Sequence, residues 1–567
     1  SQLDSPKAQH SLSEPHLFGM GVKGTVKKIP AGWSQRSILS AGYGIGDGMM
    51  AWGERMTKFN GKKRVDQRYR DTTHSTIGFW TDNGGYYHYA TGSKKNETYE
   101  EVLPKVKAYH EGLNVQFGHW QFDSWFYPKD TKHVLPGGGG GGVTNWTALP
   151  TVFPSGMDGI QKLLNVPMVM HNRQWSPTSD YVKSGKFEWL SGPHWAIPKD
   201  PIGFFTWFFQ QQQGWGLSMY EQDWMCKEYD GTDALQSNIS LADDWLRGMA
   251  VGAERSGRTV QYCMPYANDI LAAAALPAVS NARATGDYFH AHHQWAIGGT
   301  ALLYNALNIL PFKDGFYSST NKQVGGQTVG PETHPDREAL ISVLSGAMVG
   351  PMDGIHLLNA TRVNATCRSD GYVLKPDVPL RTSDECFRSS AATGAGRLPL
   401  SPPTTKPEEC FVYHTHSDVK GLGRVFYLFS NDDRPLTPAM VDLPSSDAKD
   451  SYVLFDWYTK SLALLKPSNS LPPSYEGTRY AVITPVLTGG WVLVGERSKY
   501  VPLSSFRFEQ VSASADSLDV HIVGAAGETV RVCATRVTSK GSLAAELVCK
   551  KVAFAAGGGW KLVRFGV

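Results

Sequence analysis

The chain has 567 residues, with 55 Lys plus Arg against 52 Asp plus Glu, and a formal net charge of +3. Nucleic-acid binding requires clustered basic residues that this balance does not indicate, so we expect no nucleic-acid partner. The 41% hydrophobic and 11% aromatic content excludes disorder for most of the chain. No run approaches the roughly 18 apolar residues of a membrane span. At ~100–200 residues per domain, two to four domains are possible, or one large barrel with appendages.

Residues 1–74 form the first region that the sequence sets apart. The stretch 41–56 is rich in glycine, which predicts an irregular segment rather than a helix. We expect the region to pack on the domain that follows. It begins without the charged and apolar regions of a signal peptide, so we expect a mature chain from which any such peptide was removed or in which none was present.

Residues 75–403 alternate short apolar runs with helical patterns. This alternation predicts an α/β fold, a (β/α)8 TIM barrel, whose usual length is about 250 residues or more. A Rossmann fold is the rival, but no G-x-G-x-x-G follows a strand. Strands are predicted at 75–80, 113–122, 166–171, 216–220, 259–264 and 276–280, and helices at 99–110, 156–164, 239–253 and 336–348.

Two further segments have a distinct composition. Residues 137–142 are six consecutive glycines, which predict a flexible insertion without a functional role.

In residues 404–567, short alternating strands are separated by turn residues. This pattern predicts a C-terminal antiparallel β-sandwich.

The seven cysteines indicate disulfides rather than a metal site, because none has the spacing of zinc ligands. We therefore expect no metal and no cofactor. Local disulfides are predicted for Cys533 with Cys549 and for Cys367 with Cys386, with buried free thiols as the alternative. The pairing of the remaining cysteines is left open: Cys226, Cys263 and Cys410.

Sequons for N-glycosylation favour, though weakly, a glycoprotein of an oxidising compartment. Together with the disulfides they predict a secreted protein or one of the endomembrane lumen. The sequons stand at Asn96, Asn145, Asn238, Asn359 and Asn364.

Acidic residues follow several of the predicted strands. Because barrel active sites lie at the C-terminal ends of the strands, we expect Asp82, Asp123, Asp223 and Asp287 to meet at one mouth. Aromatic residues flank each of them. Carboxylates among aromatic rings are typical of glycosidases, in which rings stack on sugars and acids bind hydroxyls and transfer protons. A turn or helix-cap role is the alternative for any single one.

Rings and a histidine near these acids are candidate sugar contacts. Trp125, Trp175 and Trp224 are predicted to stack on sugar, with ordinary core packing as the alternative. His171 ends the third predicted strand. We expect it either to reach the pocket or to be a hydrogen-bonded histidine of the core.

The chain resembles the glycoside hydrolase superfamily of raffinose synthases, seed imbibition proteins and alkaline α-galactosidases. The resemblance covers about residues 75–390 clearly and the tail loosely. The similar segments, in the family's order, are FDSW at Asp123, FPSGMDGIQKL from Phe153, EQDW at Asp223, the Cys263–Met264 pair, the Arg283–Tyr288 segment and DGYVLKPDVPL from Asp370.

The resemblance implies a retaining, α-galactosidase-like mechanism in which Asp223 is the nucleophile and Asp287 the acid/base. Retention needs the two carboxyl groups ~5–5.5 Å apart. Asp82 and Asp123 would bind hydroxyls of the sugar in subsite −1, and Arg283 would hold an acidic partner or a hydroxyl near Asp287.

Glu221 departs from the family pattern, because many members have Lys two residues before the nucleophile. This change puts the galactose preference in doubt. Strand alternation places Glu221 and Asp223 on the same face, so Glu221 stays open as a substrate-binding residue or an alternative reactive carboxylate. The family's usual large N-terminal β-sandwich is also reduced.

The leading hypothesis is a retaining α-glycosidase that hydrolyses terminal α-linked sugars through a covalent glycosyl-enzyme intermediate. The alternatives are a galactosyl transglycosylase of the raffinose synthase type and a non-catalytic carbohydrate-binding barrel. The expected partner is an oligosaccharide or glycoconjugate. The oligomeric state is left open.

Overall fold

A computed structural model describes most of the chain. The described residues are 21–86, 97–136, 140–288, 294–323, 331–392, 410–431, 452–465, 478–538, 541–544 and 546–566.

The central element is a seven-stranded sheet in which all neighbouring strands are parallel and lie side by side in chain order. This is the βα-repeat that the alternating pattern predicted. Its strands are β1 (Gly78–Phe79), β2 (His119–Phe122), β3 (Met168–Asn172), β4 (Leu217–Gln222), β5 (Thr259–Tyr262), β6 (Val279–Arg283) and β7 (Leu310–Phe312).

The segment 349–351 connects the two edges of this sheet. Val349 forms a parallel bridge with Ile77 before β1, and Pro351 forms one with Phe316 after β7. The Gly78 amide donates to the Val349 carbonyl over 2.9 Å. The segment thus occupies the place of an eighth strand, and the arrangement fits the predicted TIM barrel.

Helices surround the sheet, and three of the four predicted ones match closely, at Tyr99–Gly112, Gly156–Leu164 and Leu241–Arg255. The fourth ends at Leu344, because Gly346 adopts a φ of +70°. In chain order the helices are α1 (Ile45–Phe59), α2 (Thr72–Ser75), α3 (Tyr99–Gly112), α4 (Gly156–Leu164), α5 (Asp180–Lys183), α6 (Pro201–Gln210), α7 (Met225–Gly231), α8 (Asp233–Ser237), α9 (Leu241–Arg255), α10 (Ala267–Ala272), α11 (Gly298–Ala306), α12 (Pro335–Leu344), α13 (Ala360–Asn364) and α14 (Asp384–Ala392).

Helix α1 corrects the expectation that residues 41–56 are irregular. Gly53 lies against α11, and a Cβ atom there would fall 2.1 Å from the Ala306 carbonyl oxygen. The glycine therefore permits close helix packing, which outweighs a propensity penalty of about 1 kcal/mol. Lys62 adds hydrogen bonds from Nζ to the carbonyls of Ala273 and Leu307, so this part of the N-terminal region contacts barrel helices.

Two hairpins extend from the barrel loops, Lys129–Val134 with Gly141–Val143, and Trp189–Ser191 with Ala196–Pro198. Gly141 is buried, and a Cβ atom there would fall 1.3 Å from the Asp130 carbonyl oxygen. The expectation of a flexible six-glycine insertion is therefore wrong for residues 141–142. Residues 137–139 lie outside the described part of the chain.

The C-terminal part consists of antiparallel sheets, as predicted; their packing as a sandwich stays a prediction. The expected boundary at 403/404 lies outside the described residues. The strands are β8 (Arg381–Thr382), β9 (Val412–Val419), β10 (Gly423–Ser430), β11 (Tyr452–Asp456), β12 (Leu462–Leu465), β13 (Arg479–Pro485), β14 (Trp491–Gly495), β15 (Phe508–Ala513), β16 (Ser517–Gly524), β17 (Thr529–Arg536), β18 (Val548–Ala553) and β19 (Gly559–Gly566). They form sheets of order β8-β9-β10-β13-β11-β12, β14-β17-β18 and β15-β16-β19.

Two disulfides are present, and one differs from the prediction. Cys533 and Cys549 face each other on β17 and β18 and are bonded as expected. Cys386 is bonded to Cys410 rather than to Cys367. Pairing of β8 with β9 brings the segments that hold these two residues together, whereas Cys367 is buried next to its bridge with Val373.

Within the described residues, no helix is long and apolar enough to cross a membrane. The same residues contain no group of three or more His, Cys, Asp or Glu side chains placed to hold a metal ion.

Candidate active site

Four of the predicted residues lie at or just after the ends of barrel strands, at one mouth of the barrel. Asp82 follows β1, Asp123 follows β2, Asp223 follows β4 and Arg283 ends β6. All four are buried. His171 on β3 connects Asp223 with Asp123, while Arg283 reaches Asp82, so the site is a network of charges at one mouth of the barrel.

Asp223 is held by a hydrogen-bonded chain. Its Oδ2 lies 3.0 Å from His171 Nε2, and His171 Nδ1 lies 2.7 Å from the Tyr127 hydroxyl. Burial alone would raise the pKa of Asp223, but the His171 hydrogen bond, with further help from the Arg283 charge, holds it below its usual range. Its second oxygen, Oδ1, is buried and has no hydrogen-bond partner among the described residues.

Backbone geometry presents Asp223 at the turn between β4 and α7. Trp224 adopts a left-handed conformation with φ of 61°, which is costly for a residue with a side chain. The Asp223 amide donates to the Asn172 carbonyl over 2.8 Å, so the end of β3 fixes this turn. Strain of this kind persists only where surrounding contacts impose it.

Arg283 holds three carboxylates at once. Its Nη1 donates to Asp82 Oδ2 at 3.0 Å and to Asp314 Oδ2 at 3.1 Å, and its Nη2 contacts Asp287 Oδ1. The planar guanidinium suits such divided contacts, which a lysine cannot reproduce. Asp287, with 38% of its side chain exposed, is the member of this group that solvent reaches.

Burial and mutual repulsion raise the pKa of part of this cluster. The pKa of Asp82 is raised well above its usual range by burial and by the charges of Asp123 and Asp314, despite Arg283. Burial raises the pKa of Asp314 to about 6. The site therefore combines Asp223, whose pKa is lowered, with carboxyl neighbours whose pKa values are raised, the kind of contrast on which acid/base chemistry depends.

Glu221 lies inside the barrel between two amides. Gln121 Nε2 donates to its Oε2 at 3.0 Å, and Gln261 Nε2 lies 3.4 Å from its Oε1. Burial and the Asp123 charge raise its pKa well above the usual range. The protonated form of Glu221 is thus favoured more than in a free glutamate, whereas the pKa of Asp223 is lowered.

Two of the three candidate stacking rings belong to the core, which corrects the expectation that they bind sugar. Trp125 is 1% exposed and stacks on Tyr99 with ring centroids 4.1 Å apart. Trp175 is 2% exposed and packs edge-on against Phe208. Only Trp224 keeps a partly exposed ring.

Two further charged residues, Arg173 and Asp314, belong to the site, although no sequence pattern marks them. Arg173 follows β3, and its guanidinium lies 4.9 Å from the centre of the Trp224 ring. Burial disfavours the positive charge of Arg173, whereas the carboxylates of Asp223 and Asp123 favour it. Asp314 follows β7, whose apolar residues come directly after the apolar helix α11 and do not stand out as a separate run.

No family model and no curated protein matches the chain. Solved structures with a similar backbone include a GH27 β-L-arabinopyranosidase from Geobacillus stearothermophilus, with 10% identity, 75% of this chain and 100% of that chain covered, and a TM-score of 0.48. A GH36 α-galactosidase from the same organism has 10% identity, coverage of 78% and 59%, and a TM-score of 0.46. The isomalto-dextranase of Arthrobacter globiformis has 12% identity, coverage of 89% and 96%, and a TM-score of 0.47. Because these identities and TM-scores are low, the function is inferred from the geometry of the site itself.

Proposed function

We propose that the protein is a retaining α-glycosidase of the α-galactosidase type, acting on terminal α-linked sugars of an oligosaccharide or glycoconjugate. The observation that carries the proposal is the state of Asp223. Its carboxylate is buried and ionised, His171 orients one oxygen, and the other oxygen has no described protein partner. A nucleophile needs such a fixed, unprotonated oxygen directed at the reacting atom.

In the first step, Asp223 Oδ1 attacks the anomeric carbon while Asp287 donates a proton to the departing glycosidic oxygen. The products are a covalent glycosyl ester and the free leaving group. In the second step, Asp287 accepts a proton from water, whose oxygen attacks the anomeric carbon and releases Asp223. Two inversions give net retention of configuration.

The other residues bind and position the sugar. Asp82 and Asp123 bind hydroxyls at the mouth, and Trp224 supplies the stacking ring. Arg283 positions Asp287 through their direct contact. The pKa of Glu221 is raised and that of Asp223 is lowered, and this contrast supports Asp223 as the nucleophile because a protonated carboxyl is a weak one.

We also propose a secreted or lumenal location. The disulfides Cys386–Cys410 and Cys533–Cys549 form and persist in oxidising compartments.

The test is a panel of aryl α- and β-glycosides, followed by NMR of the first-formed anomer. Hydrolysis of an α-glycoside to the α-anomer supports the proposal, and the β-anomer as first product contradicts it. Added oligosaccharide acceptors separate hydrolysis from transglycosylation, because a transglycosylase gives mainly the longer sugar. Sugar binding without turnover of any glycoside would favour the non-catalytic alternative.

A further inference from the structure

A cavity of about 590 Å³ lies between the barrel and the C-terminal sheets, and no residue of the carboxylate cluster lines it. Its volume falls within the range of pockets that hold small molecules. We call it the interdomain cavity, lined among others by Asp336, Arg362, Trp457, Lys460, Arg497 and Arg531.

Positive charge dominates this cavity. Arg362 Nε lies 3.5 Å from Asp336 Oδ1, so one cation has a carboxylate partner. No salt bridge within 4.0 Å joins a described carboxylate to the other three cations, Lys460, Arg497 and Arg531, although the charges of Asp336 and Asp456 act to raise the pKa of Lys460. Such an excess is unfavourable unless a solvent ion or a bound anion balances it.

The backbone holds two of these cations side by side. Lys460 Nζ donates to the Arg497 carbonyl over 3.1 Å, and Arg497 Nη2 donates to the Lys460 carbonyl over 2.9 Å. Burial and the Arg497 charge lower the pKa of Lys460 to about 8. Arg497 Nε is buried and has no hydrogen-bond partner in the described structure.

Arg531 adds a third charge from β17, and its cross-strand neighbour on β18 is Lys551. Like charges opposite each other destabilise a sheet, so this arrangement does not serve the fold. Trp457 is covered by Lys460, whose Nζ lies 3.6 Å from the ring centre, and by the stacked ring of Tyr500. The aromatic surface is therefore occupied, and charge is the feature left to recognise a ligand.

We propose that the interdomain cavity binds a small molecule through an anionic phosphate or similar oxyanion group, which Arg497, Arg531 and Lys460 hold. The guanidinium groups offer the paired N–H donors that oxyanions accept. The volume leaves room for a molecule of sugar size beyond the anionic group.

The experiment is calorimetric titration of the full chain with inorganic phosphate, a hexose phosphate and the uncharged hexose. We expect both phosphates to bind, with affinity falling as NaCl is added. The ratio of their affinities shows whether the site takes the free ion or a phosphorylated sugar. Equal binding of the uncharged hexose, or no binding of either phosphate, would overturn the proposal.

Variants locate the binding. Arg531→Gln removes a charge from an exposed side chain and should weaken hexose phosphate binding about tenfold or more. The matched control Arg388→Gln removes the same charge from α14, outside the cavity, and should leave affinity unchanged. An unchanged affinity in Arg531→Gln would refute the site, as would a loss of affinity in Trp224→Ala, which would place the ligand at the barrel mouth.

Discussion

His171 Nε2 lies 3.0 Å from Asp223 Oδ2, and this contact decides the protonation of the proposed nucleophile. With the Tyr127 hydroxyl 2.7 Å from Nδ1, a neutral imidazole can accept from Tyr127 and donate to Asp223. A hydrogen bond to the charged form of a carboxyl group lowers its pKa.

Replacing His171 should therefore shift the pH dependence of activity. In His171→Asn the pKa of Asp223 should rise, since the hydrogen bond that stabilises its charged form is lost. Because Asp223 acts as the ionised form, the acidic limb of the kcat/KM profile moves to higher pH. Tyr127→Phe keeps the Nε2 donor and should shift this limb less. An acidic limb at the same pH in both variants and the wild type would contradict the assignment.

Glu221, on β4, and Asp223, directly after β4, should respond differently when each is replaced by its amide. Glu221→Gln keeps a side chain of the same size between Gln121 and Gln261 and, because Glu221 is not the proposed nucleophile, should change kcat by no more than about threefold. Asp223→Asn removes the nucleophile and should lower kcat by about 10³-fold or more. Steady-state kinetics on an aryl α-glycoside measure both, and the reverse ranking would make Glu221 the reactive group.

Arg283 should be needed for folding as well as for activity. Arg283→Met leaves Asp82, Asp287 and Asp314 without their shared cation, and loss of a buried ionic partner destabilises by about 3–5 kcal/mol. Denaturant unfolding measures the change. The control is Arg564→Met, which breaks an exposed ion pair and should leave the unfolding midpoint near that of the wild type. Equal midpoints for the two variants would show that the network does not stabilise the fold.

Thiol counting tests the corrected disulfide pattern. Cys226, Cys263 and Cys367 are free, so alkylation under denaturing conditions without reductant should add three labels, and alkylation after reduction should add seven. Peptide mapping should find the label on Cys367 and none on Cys386. A Cys367–Cys386 peptide pair would restore the pairing expected from the sequence.

The stability that Glu228 and Asp269 contribute should decline as the pH rises from about 4 to about 8. Burial raises the pKa of Glu228 to about 8 and that of Asp269 to about 7, so in this interval these two groups bind more protons in the folded chain than in the unfolded chain. Their contribution to the free energy of unfolding then falls with pH. Glu228→Gln keeps the contact with Gln222 but removes one titrating group, so its melting temperature should depend less on pH. Parallel curves for variant and wild type would contradict the buried, protonated state.

Local patterns in the sequence were sufficient to predict the barrel and most of the acids at its mouth. An apolar run followed by Asp marks a strand end wherever the run is long, as at Asp123 and Asp223, and the mouth of a barrel gathers such ends. Asp314 was missed because β7 begins at Leu310, soon after α11 ends at Ala306, so its apolar residues do not stand out as a separate strand. Burial of Trp125 and Trp175 depends on the distant rings of Tyr99 and Phe208, which no local pattern reveals.

Contacts between segments distant in the sequence also account for the other predictions that the structure corrects. Helix α1 forms because Gly53 packs on Ala306, a contact between segments far apart in the sequence. The partner of Cys386 depends on the pairing of β8 with β9 across an intervening segment. The raised pKa of Glu221 likewise depends on burial and on the charge of Asp123, which follows another strand, so the departure from the family's lysine could be noticed in the sequence but not interpreted.

Azide rescue tests the central claim, that Asp223 is the nucleophile of a retaining α-glycosidase. Asp223→Ala should lose hydrolysis of an activated aryl α-glycoside, and added azide should restore turnover by attacking from the face that the carboxylate vacated. NMR of the product should show the β-glycosyl azide, formed with a single inversion. Wild-type hydrolysis by Asp223→Ala in the absence of azide would contradict the account.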